Sequence, residues 1–152
     1  SLTEQLMGSG FDQSKSTVFT LEGVSQYITK EAFRSTIKEV ATLTQKASSI
    51  FFISYVSELL DNDPEACFGK GYPNAEKRAK LITYGSAKAG EPWISFYGAE
   101  EIESVLSQHG YSVKENVTLK DLNSRYFAPV GRALAENQLL LLEHFVISES
   151  QN

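Results

Sequence analysis

Hydrophobic and polar positions along this chain follow two different periods, which mark out its helices and strands. Residues Thr17–Leu21 are β-prone and predict a strand, and a turn follows at Glu22-Gly23. Thr29 is suited to cap a helix whose apolar residues then recur at helical spacing. Residues Ile50–Tyr55 are apolar on both faces, as in a central strand of a parallel sheet. This succession predicts a βαβ unit with a right-handed crossover.

The second half of the chain holds fewer strands and several turns. The remaining predicted elements are, in chain order, a helix over residues 74–88, a helix between Gly98 and Gly110, a strand over Tyr111–Val117, a short helix from Thr118 to Tyr126, and a last strand over Leu139–Ile147. The complete order favours an α/β fold, with helices packed on a mostly parallel sheet in a single domain over residues 1–152. No long crossover helix separates the last two strands, so the final strand is free to be antiparallel.

Composition narrows the functional classes. With 152 residues the chain can bury one core without disulfides or metals. A net charge of −5 argues against general nucleic-acid binding, which needs clustered Lys and Arg. The longest apolar runs, Ile50–Ile53 and Leu139–Leu142, are far shorter than the roughly 20 residues that span a bilayer. The lone cysteine, Cys67, cannot form an internal disulfide, which fits a cytoplasmic location.

Common catalytic and metal-binding motifs are missing from the sequence. Gly8-Ser9-Gly10 and Gly69-Lys70-Gly71 each give a G-x-G, but neither follows a buried strand or opens a helix, so both are interpreted as turns. His109 and His144 form no ligand set, and no metal site is predicted. Cys67 has no His or Asn near it in sequence and is interpreted as structural.

Two stretches resemble the leucine carboxyl methyltransferases and related bacterial O-methyltransferases of polyketide pathways. In the first, Thr17–Ala32, a strand is followed by Glu, a small residue, Val, two variable positions and Tyr. The second begins at Gly90–Phe96 and continues through the next helix and strand to Asn123–Phe127. The order of elements also matches, from about Gly10 to Ile147, so the resemblance covers nearly the whole chain.

This resemblance implies a partial Rossmann-like class I methyltransferase sheet. The family's strand order is 3-2-1-4-5-7-6, and strand 7 is antiparallel. The chain is similar to strands 4, 5, 6 and 7, so its four predicted strands should lie in the order first, second, fourth, third. Strands 1 to 3, the glycine-rich loop and the acidic residue that binds the ribose have no match among these residues. The chain alone is therefore expected to bind S-adenosylmethionine weakly or not at all.

The resemblance also implies S-adenosylmethionine-dependent methylation of a carboxyl or hydroxyl acceptor. Glu22 then holds the cofactor's ammonium group, and Gly23 lets backbone approach the cofactor. Tyr27 matches a tyrosine near the methyl-transfer site, where it would orient the acceptor. Trp93 and Tyr126 are candidates for the acceptor pocket, with ordinary core burial as the alternative. Transfer from a sulfonium mainly needs alignment, so the lack of a catalytic dyad is compatible with this chemistry.

The expected partners follow from the same resemblance. They are a small-molecule or protein acceptor and a second chain, with neither nucleic acid nor membrane. Thr17–Leu21 would lie at a sheet edge without proline or charge, which predicts a homodimer or a partner chain through that edge. The alternative is that the residues up to Lys15 fold over it. Two other functions stay open: a non-catalytic interaction or scaffold domain derived from this fold, and an unrelated α/β binding module.

Overall fold

A four-stranded mixed sheet organises the chain. The structure, a computed structural model, describes residues 1–69 and 71–151. The strands are β1 (Val18–Leu21), β2 (Ile50–Val56), β3 (Tyr111–Thr118) and β4 (Glu143–Ser150). The α-helices are α1 (Leu2–Gly8), α2 (Lys30–Leu43), α3 (Leu59–Asn62), α4 (Pro64–Phe68), α5 (Ala75–Lys88), α6 (Ala99–Gln108) and α7 (Leu119–Leu122). Short 3₁₀ turns lie at Ser25–Tyr27, Ala128–Val130 and Glu136–Gln138, and a π-helical turn lies at Asn123–Phe127.

The strand order confirms the predicted topology. The strands lie in the order β1-β2-β4-β3, with β1 and β2 parallel and β4 antiparallel to both of its neighbours. This is the 4-5-7-6 part of the Rossmann-like sheet described above. Since β3 and β2 are both antiparallel to β4, they run in the same direction. The carboxyl ends of β1, β2 and β3 therefore meet at one edge of the sheet.

Two amphipathic helices cover one face of the sheet. The Thr29 hydroxyl caps α2 as predicted, accepting from the backbone N–H of Ala32 at 3.2 Å. The buried residues of α2 and α6 form one core with the sheet: Phe33, Ile37, Val40, Ile102, Val105 and Leu106 against Phe51, Ile53, Tyr55, Tyr111 and Val146. Glu101 links the two helices at the surface, pairing with Lys30 at 2.6 Å and Arg34 at 3.3 Å.

The opposite face of the sheet is largely open. Val18, Ile50 and Ile147 are 63%, 41% and 36% exposed. Beside them the rings of Phe52 and Phe145 stack, with their centroids 6.3 Å apart. We call these five side chains the open face. Contiguous exposed apolar surface of this kind is typical of an interaction site.

A second core lies at the carboxyl end of β2. It consists of Val56, Leu60, Cys67, Phe68, Ala75 and Ala79, contributed by β2 and by the helical insertion α3 to α5. Gly8 ends α1, and Gly10 lies in the turn that follows, whereas Gly69 and Gly71 follow α4. Gly10, Gly69 and Gly71 have positive φ, and Lys70 lies outside the described residues.

The last strand was predicted too early in the chain. It begins at Glu143 instead of Leu139 and continues to Ser150. Leu140 and Leu142 pack against the second core, and the N–H of Leu141 donates to the Cys67 carbonyl at 2.7 Å. The run of leucines is thus apolar because it covers the insertion, and apolar character alone does not separate the two cases. The predicted bounds of β1, β3, α5 and α6 agree with the structure to about two residues.

The turn after β1 depends on a left-handed glycine. Gly23 has a φ of 64°, and its N–H donates to Ser54 Oγ on β2 at 2.9 Å. The hydroxyl of Ser25 donates a hydrogen bond to the Ser54 carbonyl at 3.0 Å. These two bonds fix the start of the 3₁₀ turn against β2, and so determine where the following residues lie.

The hydroxyl of Tyr55 on β2 joins that strand to side chains of β4 and β3 by partly buried hydrogen bonds. Tyr55 is fully buried, and its hydroxyl bonds with Asn116 Nδ2 at 3.0 Å and His144 Nδ1 at 3.1 Å. The other ring nitrogen of His144, Nε2, is buried without a hydrogen-bond partner among the described residues. Burial lowers the pKa of His144, and the nearby Leu141 backbone and Asp121 offset part of this fall.

His144 should make stability depend on pH in the mildly acidic range. The unfolded chain has an ordinary histidine pKa of about 6.5, whereas the folded pKa is lower. Stability from the neutral ring is therefore complete above pH 6.5 and decreases as the pH falls toward the folded pKa. The free energy of unfolding, measured with urea, should decrease less between pH 7 and pH 5 in His144→Gln than in the wild type. His109→Gln is the matched control and should retain the wild-type loss; an unchanged loss in His144→Gln would contradict this assignment.

Replacement of Gly23 should destabilise the fold through backbone strain alone. A Cβ at this position meets no atom within 4 Å, so Gly23→Ala adds only the left-handed penalty of about 1 kcal/mol. Gly8→Ala is the control, because Gly8 lies in α1 with equal space and without positive φ. The free energy of unfolding, measured with urea, should fall for the first variant and stay equal or rise for the second. Equal effects in the two variants would show that the turn is not strained.

Candidate active site

Glu22 lies where ligands bind in open α/β sheets, just beyond the carboxyl end of a strand. Its side chain is exposed and forms no hydrogen bond or ion pair within the described part of the chain. Gly23, in the left-handed conformation, follows directly. The turn therefore presents an unpaired carboxylate beside a stretch of backbone without a side chain.

The two stretches that carry the family resemblance lie side by side in the fold. The carbonyl of Gln26 accepts from the N–H groups of Ile94 at 2.8 Å and Ser95 at 3.3 Å. Ser95 Oγ also donates to the Ile28 carbonyl at 2.7 Å. These bonds join the turn after β1 to a segment more than sixty residues later in the sequence.

The far end of the same segment is attached to β2. The N–H of Tyr97 donates to the Val56 carbonyl, and the N–H of Glu58 donates to the Tyr97 carbonyl, both at 3.0 Å. Ser57 and Tyr97 form a parallel bridge. Residues 93–97 thus cross the carboxyl ends of both β1 and β2, which is why they border the candidate site.

Tyr27 and Trp93 form an aromatic pair at this crossing. Their ring centroids are 6.4 Å apart, with an interplanar angle of 85°, an edge-to-face arrangement that is favourable for aromatic rings. Tyr27 remains 39% exposed. Trp93 is half-buried and packs against the second core, which is the core burial that the sequence offered as its alternative role.

A cavity of about 330 Å³ lies next to this pair. It is lined by Tyr27, Gly90, Glu91, Pro92 and Ile94. Sequence reasoning had selected Tyr27 but missed Glu91, Pro92 and Ile94, although all three lie in the stretch Gly90–Phe96. Two other cavities, of about 300 and 510 Å³, lie along α5, and neither is lined by Glu22, Tyr27 or Trp93.

Tyr126 stands apart from the other candidates. It lies on the π-helical turn after α7 and is 62% exposed. The end of β3, which leads to it, is separated from the end of β1 by β2 and β4, or roughly 14 Å at the usual strand spacing. Among the described residues no ring contact or hydrogen bond joins Tyr126 to Tyr27 or Trp93.

Cys67 is not suited to catalysis, because its thiol is buried. Burial raises the pKa of the Cys67 thiol to about 11, so it stays protonated at neutral pH and is a poor nucleophile. Residues 1–69 and 71–151 contain no group of three His, Cys, Asp or Glu side chains that could hold a metal ion. Over the same residues, no helix combines the length and apolar character needed to cross a bilayer.

Comparison with known structures shows the fold. A DUF574 family protein from Streptomyces avermitilis superposes with a TM-score of 0.60 over 99% of this chain and 53% of its own, at 10% identity. The mycolic acid cyclopropane synthase CmaA1, solved with SAH and CTAB, gives a TM-score of 0.58 over 93% of this chain and 57% of its own, at 12% identity. The class I methyltransferase sheet is therefore confirmed.

Sequence comparison identifies the family. The family model for leucine carboxyl methyltransferase matches residues 1–41, which include β1, Glu22, Gly23 and Tyr27. YktD of Bacillus subtilis (strain 168), whose name describes it as an S-adenosyl-L-methionine-dependent methyltransferase, is 32% identical over 125 residues. This match covers 82% of the chain and 38% of YktD, so the chain spans less than half the length of that relative. Together, the family model, the relative and the fold show that the chain belongs to the leucine carboxyl methyltransferase family.

Proposed function

We propose that this chain forms the acceptor-binding part of an S-adenosylmethionine-dependent O-methyltransferase. The observation that carries the proposal is the pairing of the Gln26 carbonyl with Ile94 and Ser95. That pairing supports the proposal because it lies beside the Tyr27–Trp93 contact, at the carboxyl edge of the sheet and next to the Glu22 turn. S-adenosylmethionine, when bound, supplies an electrophilic methyl group on a sulfonium.

The turn after β1 suits the amino-acid part of that cofactor. The Glu22 carboxylate is free to accept a charge-assisted hydrogen bond from an ammonium group. At Gly23 the space that a Cβ would occupy is open, which lets a ligand lie against the backbone. The name of YktD and the SAH in the CmaA1 structure support the same cofactor.

Tyr27 suits the acceptor side of the reaction. Its hydroxyl has no hydrogen-bond partner within the described residues, so it can bond to an acceptor oxygen. An acceptor oxygen held there would receive the methyl group that S-adenosylmethionine would supply. A hydroxyl acceptor releases its proton to solvent, and a carboxylate has none to release. The protein's contribution is to hold the acceptor in line, for which no acid–base dyad is needed.

The proposed setting is the cytosol, and the proposed partner is a further chain at β1. Cys67 is a buried, unpaired thiol, as expected in a reducing compartment. The outer edge of β1 has no strand beside it among the described residues, and the N-terminal segment does not pair with it. The N-terminal segment contacts β1 through Phe11, whose ring packs against that of Phe19. Its helix α1 is held on α2 by hydrogen bonds from Ser1 and Thr3 to Glu39. Val18 stays exposed.

A second candidate function is a non-catalytic interaction domain. The open face favours it, because five apolar side chains lie together on one side of the sheet with partial exposure. Under this alternative the same open face would bind a partner, and the Glu22 turn would bind no cofactor.

Calorimetry with S-adenosylmethionine separates the two functions. The 152-residue chain should bind weakly or not at all, and a protein that adds a half with the glycine-rich loop should bind. In that longer protein, Glu22→Ala should weaken binding about 10- to 100-fold, since it removes a charge-assisted hydrogen bond. Tyr27→Phe should leave cofactor binding unchanged and slow transfer about tenfold, because one hydrogen bond to the acceptor is lost.

Glu65→Ala is the matched control for charge, since Glu65 is exposed on α4 and does not line the candidate cavity. Micromolar binding of S-adenosylmethionine by the 152-residue chain would contradict the expectation that most cofactor contacts come from the half with the glycine-rich loop. Unchanged kinetics in both site variants would exclude Glu22 and Tyr27.

Sedimentation equilibrium at micromolar concentration tests the partner at β1. The 152-residue chain should be dimeric, because an unpaired apolar edge can add a strand from its own copy. Val18→Lys should shift it to monomer by placing charge on that edge. Leu81→Lys, at a 53% exposed position on α5, should leave the dimer intact. A strictly monomeric wild-type chain would exclude the dimer.

A further inference from the structure

Among the described residues, the cavity beside Tyr27 is bordered by negative charge and by no cation. Of these residues, Glu91 is the one carboxylate that lines the cavity, and no Lys, Arg or His does so. The other lining groups are the Tyr27 ring and hydroxyl, the Gly90 backbone, Pro92 and Ile94. Ile94 is 53% exposed, so apolar surface is available to a ligand.

The helix behind the cavity adds to this negative potential. The last turn of α5 leads directly into the cavity wall, with the N–H of Gly90 donating to Ala87 and that of Glu91 donating to Ser86. The C-terminal end of a helix carries a partial negative charge. Lys88 is the one cation in that last turn; it is exposed and does not line the cavity.

We propose that this cavity accepts an uncharged aromatic alcohol, a phenol, as the methyl acceptor and disfavours carboxylates. The inference rests on the proposed function for its chemistry, and on the cavity alone for its selectivity. The Tyr27 ring, Pro92 and Ile94 offer apolar walls for a flat ring, and Trp93 supports the Tyr27 ring by its edge-to-face contact. The free Tyr27 hydroxyl can bond the acceptor oxygen. A carboxylate in the same place would lie beside Glu91, and none of the described lining residues carries a positive charge to offset the repulsion.

Trp93 provides a readout, because it packs against the Tyr27 ring that lines the cavity. It is the sole tryptophan in the chain and gives one indole N–H resonance. The 152-residue chain would be titrated at pH 7 with 2-naphthol, which is neutral at that pH, and with 2-naphthoate, its charged counterpart. We expect a saturable shift of the Trp93 resonance with 2-naphthol. We expect 2-naphthoate to bind at least about fivefold more weakly, since like charges a few ångströms apart repel even in water.

Two variants show whether Glu91 is the cause. Glu91→Gln should reduce the difference between the two probes to less than about twofold. Glu103→Gln removes the same charge from an exposed position on α6 and should leave the difference unchanged. Circular dichroism would confirm that both variants fold.

The proposal is overturned if 2-naphthoate binds as tightly as 2-naphthol, if neither probe gives a saturable shift, or if Glu91→Gln leaves the selectivity intact. No cofactor is present in these titrations. Loss of S-adenosylmethionine binding in the longer protein would therefore contradict the proposed function separately from the acceptor selectivity.

Discussion

The central strand β2 is the element on which the rest of the structure depends. It is hydrogen-bonded on both sides, parallel to β1 and antiparallel to β4. Phe51, Ile53 and Tyr55 contribute to the core under α2 and α6, whereas Val56 contributes to the core of the insertion. Its Ser54 also holds the turn after β1 through two hydrogen bonds. One strand thus connects both cores and determines where the Glu22 turn lies.

Much of this fold was predictable because its main elements are locally encoded. The Thr29 cap, the helical spacing of Phe33 and Ile37 and the two-sided apolar run of β2 each depend on neighbours in sequence. The strand order came from the family resemblance, since no local pattern in the sequence places β4 between β2 and β3. The last strand was misplaced because Leu139–Leu142 are apolar for a tertiary reason, their contact with the insertion.

The candidate site was predictable only in part, because contacts between distant segments leave no local pattern in the sequence. The family pattern selected Glu22, Gly23, Tyr27 and Trp93, which lie around one turn and one crossing segment. The hydrogen bonds from Ile94 and Ser95 to Gln26 join backbone groups of distant segments, so no pattern of side chains predicts them. Tyr126 was selected as an aromatic residue in a matching stretch, yet two strands separate the end of β3 from that of β1.

The position of β4 also constrains how the chain acquires its structure. β4 comes last in sequence among the strands but lies between β2 and β3, and it is the sole strand-pairing link between them. During synthesis β1, α2 and β2 can assemble early, while β3 has no strand to pair with until residues 143–150 have left the ribosome. Contacts between positions so far apart in sequence form slowly, because the loop between them must close first. The edge of β2 that pairs with β4 would therefore stay open until then, and an unpaired strand edge is exposed to incorrect pairing.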